Sequence, residues 1–516
     1  MSSVRPRANT GSSCAQNNNL GELRLRNEET NEIILIPTPT NDPNDPLNWS
    51  KTYRVYIAIL VSCAIFFSNF LAAGPTVAIV SITESFFGPP GPEFSSQIAK
   101  IAYFFTTTSL LQGMGNLIWM PLIAKYGRRP IYIISFTLYT GFSIWAGAAI
   151  TYSSSLIARI CMGFASGAAE CLAPLTISDL FFLHERGSIM AIYTTALSAG
   201  VGCGIIIAGL ITIKHDWRYI YWVAVALIGS CTVLIIFTFP ETVYNRNGNP
   251  DETRAINDPD TDHTQHIKDE VRDTEIVQSE HVTVNRPSAY SFPQKRTYWQ
   301  SLSIYSGVHT KESFFKLFFR PIVLLSLPPV LWATLVMSVT IGFLVAITSN
   351  FAIAYTTYGF KPWQAGLCFI SCPVGAGFGA FLGGRFSDMV ADRLTRGNNG
   401  FRRPEMRLPA MAISMTTAPL ALVLYGVGIG HGWHWIIPTI GLGLSAFGFL
   451  LSFYTNPWIN ESGYSNAFGA MAGISGGVLL LWIPMFIWGQ RVRQTTWSWG
   501  FIKILVHWHG DREVGE

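Results

Sequence analysis

The chain has 516 residues, of which 49% are hydrophobic and only 13% are charged. Soluble globular proteins carry about 25% charged residues, so this composition argues against a soluble domain. The formal net charge of +4 is small, and it lacks the strongly basic character of a nucleic-acid-binding protein. Most of the eight cysteines lie in apolar runs, where they predict packing roles and no structural disulfide.

The apolar runs predict an all-α membrane protein with two six-helix-type bundles. Residues 1–53 are polar and indicate a disordered cytosolic N-terminus without a cleavable signal peptide. An N-terminal bundle is expected over 54–240, a flexible cytosolic linker over 241–320, a C-terminal bundle over 321–490 and a tail over 491–516. Since about 20 apolar residues span a bilayer, we recognise about 11 helices, at roughly 54–80, 101–123, 130–150, 156–178, 188–212, 218–239, 322–346, 364–387, 408–428, 434–455 and 467–488.

Basic residues set the expected orientation. Lys125, Arg128 and Arg129 lie between the second and third helices, and several arginines follow the eighth. The positive-inside rule places both loops in the cytosol. The basic stretches 125–129 and 384–388 occupy equivalent places in the two halves. Such a duplication is typical of secondary transporters, whose substrate site lies at the midplane between repeats.

The fourth predicted helix carries an unusual set of residues. Arg159, Gly163, Gly167 and Glu170 all fall inside one apolar run. A carboxylate within the bilayer costs about 2.5–3.5 kcal/mol on insertion scales, and such groups usually face a protein interior or an aqueous cavity. Glu170 lies roughly 16 Å along the helix from Arg159, near the membrane middle. It is therefore a candidate for proton coupling; the alternative is a neutral acid hydrogen-bonded to a neighbouring helix.

The other members of this set have structural alternatives. Gly163 and Gly167, four residues apart, predict close approach of a neighbouring helix. The same packing role is expected for Gly200, Gly204 and Gly209 in the fifth helix. Arg159 lies near the external end of its helix, so it either functions there or reaches outward to the interface as an anchor.

Five stretches carry a resemblance to a known family. They are Asn44–Trp49 before the first helix, Pro121–Pro130 in the 2–3 loop, Arg159 to Gly167, Asp179–Gly187, and Pro240–Thr242. In this order the chain resembles the major facilitator superfamily over about residues 47 to 490. It is most similar to the fungal branch of drug–proton antiporters and metabolite exporters.

The resemblance implies specific roles. It implies secondary active transport, with a proton as the coupling ion and Arg159 taking part in proton handling. The 2–3 loop (Lys125, Gly127, Arg128 and Arg129) would pair with Asp179 as a latch between transport conformations. The alternative role for this loop is only to anchor the topology at the anionic cytosolic face of the membrane.

The chain departs from the family pattern in three places. Ala124 stands where the 2–3 loop usually has an acid, and Ile205 stands where the antiporter signature has a proline. Without that proline the helix kink, and antiport itself, are in doubt. The C-terminal half also lacks an apolar run for the eleventh family helix. Asn460 begins a glycosylation sequon and would report the side of its loop.

Aromatic and small residues dominate the expected cavity, whose candidate lining is Phe66, Asn69, Phe70, Trp332 and Phe343. This lining suits a small amphipathic organic molecule, although each aromatic side chain taken alone is better explained by lipid or packing contacts. We therefore expect proton-coupled efflux from a monomer embedded in the bilayer, in the plasma membrane. The alternatives are an uptake permease for a small cation or nutrient, and a truncated relative that does not transport.

Enzymatic chemistry is not expected. The sequence has no clustered histidines at metal-ligand spacing and no Gly-x-x-x-x-Gly-Lys-Ser/Thr phosphate loop. We therefore expect no cofactor and no metal, and neither an enzyme nor an ATP-driven pump.

Overall fold

The computed structural model describes residues 42–244, 294–305, 307–310, 312–397 and 411–444, with isolated positions before 42, at 409 and from 477 to 495. In these ranges the regular elements are helices, without a strand. We number the α-helices α1 (Lys51–Ala73), α2 (Ile79–Phe87), α3 (Phe94–Tyr126), α4 (Arg129–Ala148), α5 (Tyr152–Leu180), α6 (Leu183–Ile211), α7 (Arg218–Thr238), α8 (Tyr298–Ser301), α9 (Phe314–Leu324), α10 (Pro328–Thr356), α11 (Pro362–Cys368), α12 (Ser371–Gly397), α13 (Met411–Gly430) and α14 (Ile436–Leu444).

The N-terminal bundle contains α1 to α7. Five of the described segments are long and apolar enough to cross a membrane, and all belong to this bundle: 51–87, 129–148, 152–180, 188–211 and 218–238. The α3 helix is 33 residues long but is not among them, because threonines and two amides, Gln112 and Asn116, interrupt its apolar surface. These amides contribute to the site described below.

Two pairs of helices in this bundle pack so closely that their backbones are in contact. On α5, Gly163 faces the carbonyl of Thr108 and Gly167 faces the carbonyl of Gln112, both on α3. On α6, a Cβ added to Gly200 or Gly204 would lie 2.5 Å from the carbonyl oxygen of Phe66 or Phe70 on α1. Only a residue without a side chain permits such contact, which is how small residues bring membrane helices together.

The two halves meet through α6. A Cβ on Gly202 would lie 2.7 Å from Pro373 Cδ of α12, and one on Gly209 would lie 3.3 Å from Trp363 Cα of α11. The 3₁₀ turn Gly74–Ala78 between α1 and α2 also packs against α10 and α11. These contacts lie toward the end of the bundle away from Lys125, which is the expected external side.

Several predicted helix limits in the second half of the chain were wrong. The observed helices begin at prolines or are interrupted where a single helix was predicted. The helix predicted at 322–346 divides into α9 and α10, with Pro328 starting α10. The helix predicted at 364–387 starts at Pro362, is interrupted after Cys368, and then continues to Gly397. Residues 384–388, predicted as a loop, are therefore helical, because polar residues alone do not end a helix. The segment predicted as a flexible linker, 241–320, also contains α8 and the first part of α9.

We predict that Gly163→Ala lowers the stability of the folded chain. The new methyl group would overlap the Thr108 carbonyl, and overpacking of this kind costs about 1–3 kcal/mol. The matched control is Gly113→Ala on α3, where a Cβ meets nothing within 4 Å and alanine is the better helix former. Thermal unfolding in detergent would measure both. Equal midpoints for the two variants would contradict the close α3–α5 contact.

Candidate functional site

Glu170 lies on α5 where this helix touches α3. The Gln112 amide donates a hydrogen bond to Glu170 Oε1 at 2.8 Å, and the Asn116 amide donates to Oε2 at 3.4 Å. The two amides are four residues apart and so share one face of α3. Glu170 remains partly exposed, while Gln112 is buried. The structure therefore holds the carboxyl group between neutral donors at the edge of the helix contact.

This arrangement can accommodate both protonation states of the carboxyl group. A carboxylate accepts two N–H bonds, as seen here. A neutral acid instead needs an acceptor for its O–H. Asn116 Oδ1 is buried and, among the described residues, has no hydrogen-bond partner. Rotation of that amide would turn this oxygen toward Glu170, so Asn116 can serve either state.

Sequence reasoning named Glu170 but missed both amides. A signal was available, since Gln112 and Asn116 are an i, i+4 polar pair within the charge-free run 101–124. Their role could not be assigned from sequence, because which face of α3 meets α5 depends on the position of Gly163 and Gly167 against it.

Arg159 is fully buried and does not reach outward as the anchoring alternative required. Its guanidinium carbon lies 5.2 Å from the Phe105 ring centroid and 5.3 Å from that of Tyr221. Its Nη1 donates to the carbonyl oxygen of Leu71 at 3.0 Å. This places the charge inside the bundle, near the end of α1.

The Leu71 carbonyl is available because of a proline. Pro75 has no N–H to donate to the carbonyl four residues before it, and α1 gives way at this point to the 3₁₀ turn. Arg159 replaces the missing donor. It therefore ties α5 to the break in the first helix, about three turns along α5 from Glu170.

The residues predicted as a latch come together around Asp179, at the end of α5 that is expected to face the cytosol, and we refer to them as the cytosolic cluster. Arg128 Nε lies 3.1 Å from Asp179 Oδ2, and Thr242 donates to the same oxygen at 3.2 Å. Gly127 ends α3 with φ +95°, a conformation that favours glycine. The 2–3 loop, which connects α3 to α4, is thus joined to α5 and to the residues after α7 at one point. Lys125 contributes its carbonyl oxygen, which accepts the N–H of His309 at 2.9 Å.

Glu241 is a central residue of this cytosolic cluster, and its role was not predicted from the sequence. Its carboxylate accepts the backbone N–H of Arg128 at 2.9 Å and of Arg129 at 3.1 Å, where α4 begins. Such acceptors satisfy the unpaired donors at a helix start and complement its dipole. A Cβ on Gly127 would lie 2.5 Å from Glu241 Oε2, so the glycine also makes room for the carboxylate.

Arg129 completes the cluster from the opposite direction. Its guanidinium donates to the carbonyl of Ile236 at 2.8 Å and to that of Phe239. These carbonyls belong to the last turn of α7, where helical partners are missing. Arg129 is 2% exposed, which means that it is a buried structural link and not a charge held at the lipid headgroups.

The proposed cavity residues divide into two groups. Asn69, Phe70 and Phe343 are 1%, 0% and 4% exposed, so in this conformation they do not line an open cavity. Asn69 instead donates to the Ile65 carbonyl of its own helix at 3.1 Å. Phe66 and Trp332 keep exposed surface. Gly200 and Gly204 explain the burial of Asn69 and Phe70, because they let α6 pack directly on α1 here. Asn460 lies outside the described residues.

Comparison with known proteins identifies the family to which this fold belongs. Residues 57–481 match the family model described as Major Facilitator Superfamily. An uncharacterised transporter of this type from Schizosaccharomyces pombe is 25% identical, covering 90% of this chain and 89% of its own length. Protein HOL1 of Saccharomyces cerevisiae is 24% identical over 94% of both, and the transporter cpaT of Aspergillus oryzae is 26% identical over 82% and 77%.

A solved structure agrees at the level of the fold. The proton:xylose symporter XylE superimposes with a TM-score of 0.50 and 14% identity, covering 90% of this chain and 92% of its own. The chain therefore belongs to the major facilitator superfamily, and it is a multi-pass membrane transporter and not an enzyme. The match confirms the family and the all-α two-bundle architecture.

We predict that Arg159→Gln destabilises the fold less in a Pro75→Ala background than in the parent chain. Alanine restores an N–H for the Leu71 carbonyl, so the arginine becomes partly redundant. We expect a coupling of about 1 kcal/mol, within the range for residues that share one partner. Equilibrium unfolding of the four chains in mixed detergent gives the cycle. Strictly additive losses of stability in the double variant would mean that Arg159 does not stabilise the fold through its hydrogen bond to the Leu71 carbonyl.

We also predict that Glu241→Ala weakens the cytosolic end of the bundle. It removes the acceptor for the N–H groups of Arg128 and Arg129, and each buried donor left unsatisfied costs about 1–3 kcal/mol. Glu93→Ala is the matched control, since Glu93 precedes α3 without a side-chain capping bond. Hydrogen exchange should rise in residues 127–132 for Glu241→Ala only. An unchanged exchange rate there would exclude the capping role.

Proposed function

We propose that this chain is a proton-coupled carrier that exports a small amphipathic organic compound, with Glu170 as the group that binds and releases the proton. The observation that carries the proposal is the geometry of Glu170. It is a partly exposed carboxyl group within the length of a membrane helix, held by two neutral amides. A group that stays charged would be more stable beside a cation, whereas neutral amides can serve both forms.

The mechanism follows from where this group lies. Gly167 keeps Gln112 beside the α3–α5 contact, so the amides move with the carboxyl group as one unit of the N-terminal half. Binding of a proton removes a charge from this site and lowers the cost of closing it away from water. Arg159 would act indirectly in this scheme, by holding the broken end of α1 in place against α5.

The cytosolic cluster is proposed as the latch of this cycle. Arg128 and Asp179 would form the ion pair, while Gly127, Glu241 and Arg129 position the 2–3 loop from which Arg128 extends. Its contacts join α3, α4, α5 and α7, so it makes the cytosolic ends of the N-terminal half move as a rigid body. Rigid-body motion of one repeat against the other is the general mode of alternating access.

A second candidate is uptake of a small organic cation. One observation favours it: the hydrogen bonds that the structure gives Glu170 come from neutral groups, which leaves its charge available to a cationic substrate. In that case the same carboxylate would bind the substrate directly. The direction of transport and the effect of substrate charge separate the two candidates. The plasma membrane remains our proposal for its location.

The test is Glu170→Gln in reconstituted vesicles with an imposed pH gradient. Using a panel of neutral and cationic amphipathic dyes, we expect gradient-driven transport to fall at least about tenfold, the scale on which removing a positioned proton-transfer group acts. Gradient-independent exchange of the same dye should persist. Glu84→Gln, at an exposed position of α2, is the control and should transport normally. Full gradient-driven transport by Glu170→Gln would overturn the proposal. Loss of exchange for cationic dyes alone would favour the cation permease.

A further inference from the structure

The helix α9 presents an apolar face that the described part of the chain leaves uncovered. Phe315, Phe319 and Ile322 are 71%, 50% and 44% exposed. Their spacing of four and three residues places them on one side of the helix. A contiguous exposed face of large apolar residues is unfavourable in water and usually marks an interaction site. This face lies outside the transport site and the cytosolic cluster.

The other sides of α9 have partners. The helix packs against α3, and Leu317, on the side opposite the exposed face, is buried. Glu312 lies just before the helix and accepts hydrogen bonds from Arg320 at 2.8 Å and from Lys316 at 3.3 Å. Both basic residues of the helix are thus neutralised on the protein side, and the exposed side carries no charge.

The position of α9 along the chain fixes its height relative to the membrane. Only three residues separate Leu324 from Pro328, where α10 begins, so they can span at most roughly 14 Å. On the other side, the His309 N–H donates to the Lys125 carbonyl at 2.9 Å, at the cytosolic end of α3. The helix is therefore held at the level where membrane helices begin and end. An apolar, uncharged face at that level meets lipid.

We propose that α9 is an interfacial helix that inserts Phe315, Phe319 and Ile322 into the cytosolic leaflet of the bilayer. The lipid would cover the face that the protein leaves open. Helices of this kind bury their apolar side about 5–10 Å into the boundary between headgroups and acyl chains. Inserted in this way, α9 anchors the end of the linker beside the cytosolic end of α3.

The experiment places a fluorescent amino acid at position 315 or 319 of the full chain in nanodiscs. Phosphatidylcholines with bromine near the headgroup end of the acyl chains serve as quenchers, and lipids brominated at the chain ends report deep insertion. We expect strong quenching at both positions by the shallow bromines and weak quenching by iodide from the aqueous phase. Gln294, an exposed polar position of the linker, is the control and should show the reverse.

Each other outcome overturns the proposal in a distinct way. Quenching by iodide and not by bromolipid at 315 and 319 would show that the face is in water. Protection from both quenchers, with self-quenching that falls when labelled and unlabelled chains are mixed, would assign the face to a second copy of this chain. Size-exclusion profiles of each labelled chain establish that it is folded, so a null result cannot be attributed to misfolding. Transport activity does not enter the readout, and the result is independent of the role of Glu170.

Discussion

The close contact between α3 and α5 is the constraint on which the candidate site depends. Gly163 and Gly167 let the backbone of α5 approach the carbonyls of Thr108 and Gln112, and the Trp119 indole fixes the same pair by donating to Phe164 at 2.8 Å. At this separation the side chains of Gln112 and Asn116 reach Glu170. With one larger residue at either glycine, the amides would be displaced and the carboxyl group would lose its donors.

A second constraint acts at the end of the bundle that is expected to face the cytosol, and it depends on charge, whereas the first depends on close packing. Glu241 and Asp179 are acids placed against the start of α4 and against Arg128, and Arg129 is a base placed against the end of α7. Glu241 and Arg129 satisfy backbone groups that these two helix ends leave unpaired, whereas Asp179 pairs with the Arg128 side chain. The cluster therefore stabilises two helix ends at once, and it joins them to the end of α5. The Arg54–Glu185 pair, 3.7 Å apart, adds α1 and α6 to these helix ends.

The hydrogen-bond partner of Arg159 is made available by a residue that is far away in the chain. The arginine was predictable as an unusual residue in a membrane helix, and both function and anchoring were open. Its partner depends on Pro75, 84 residues earlier, which frees the Leu71 carbonyl. Nothing in the local sequence of α5 indicates that a carbonyl in α1 needs a donor. The same reason explains why Glu241 was missed, since the backbone donors of Arg128 and Arg129 lie at a turn for which the sequence pattern indicates only basic charge.

From the amino-acid sequence alone one could predict the membrane class, the helices of the N-terminal bundle, the family and the presence of an acid inside α5. These properties follow from local composition, because apolar length and hydrophobicity decide membrane insertion residue by residue. Which of the candidate residues lie together became known from the packing of the helices. This packing joined Glu170 to Gln112 and Asn116, buried Asn69 and Phe70, and turned the aromatic side of α9 outward. These contacts depend on the rotation of each helix about its axis and on its distance from its neighbours. Side chains that are far apart in the sequence set both quantities, so a local sequence pattern does not contain them.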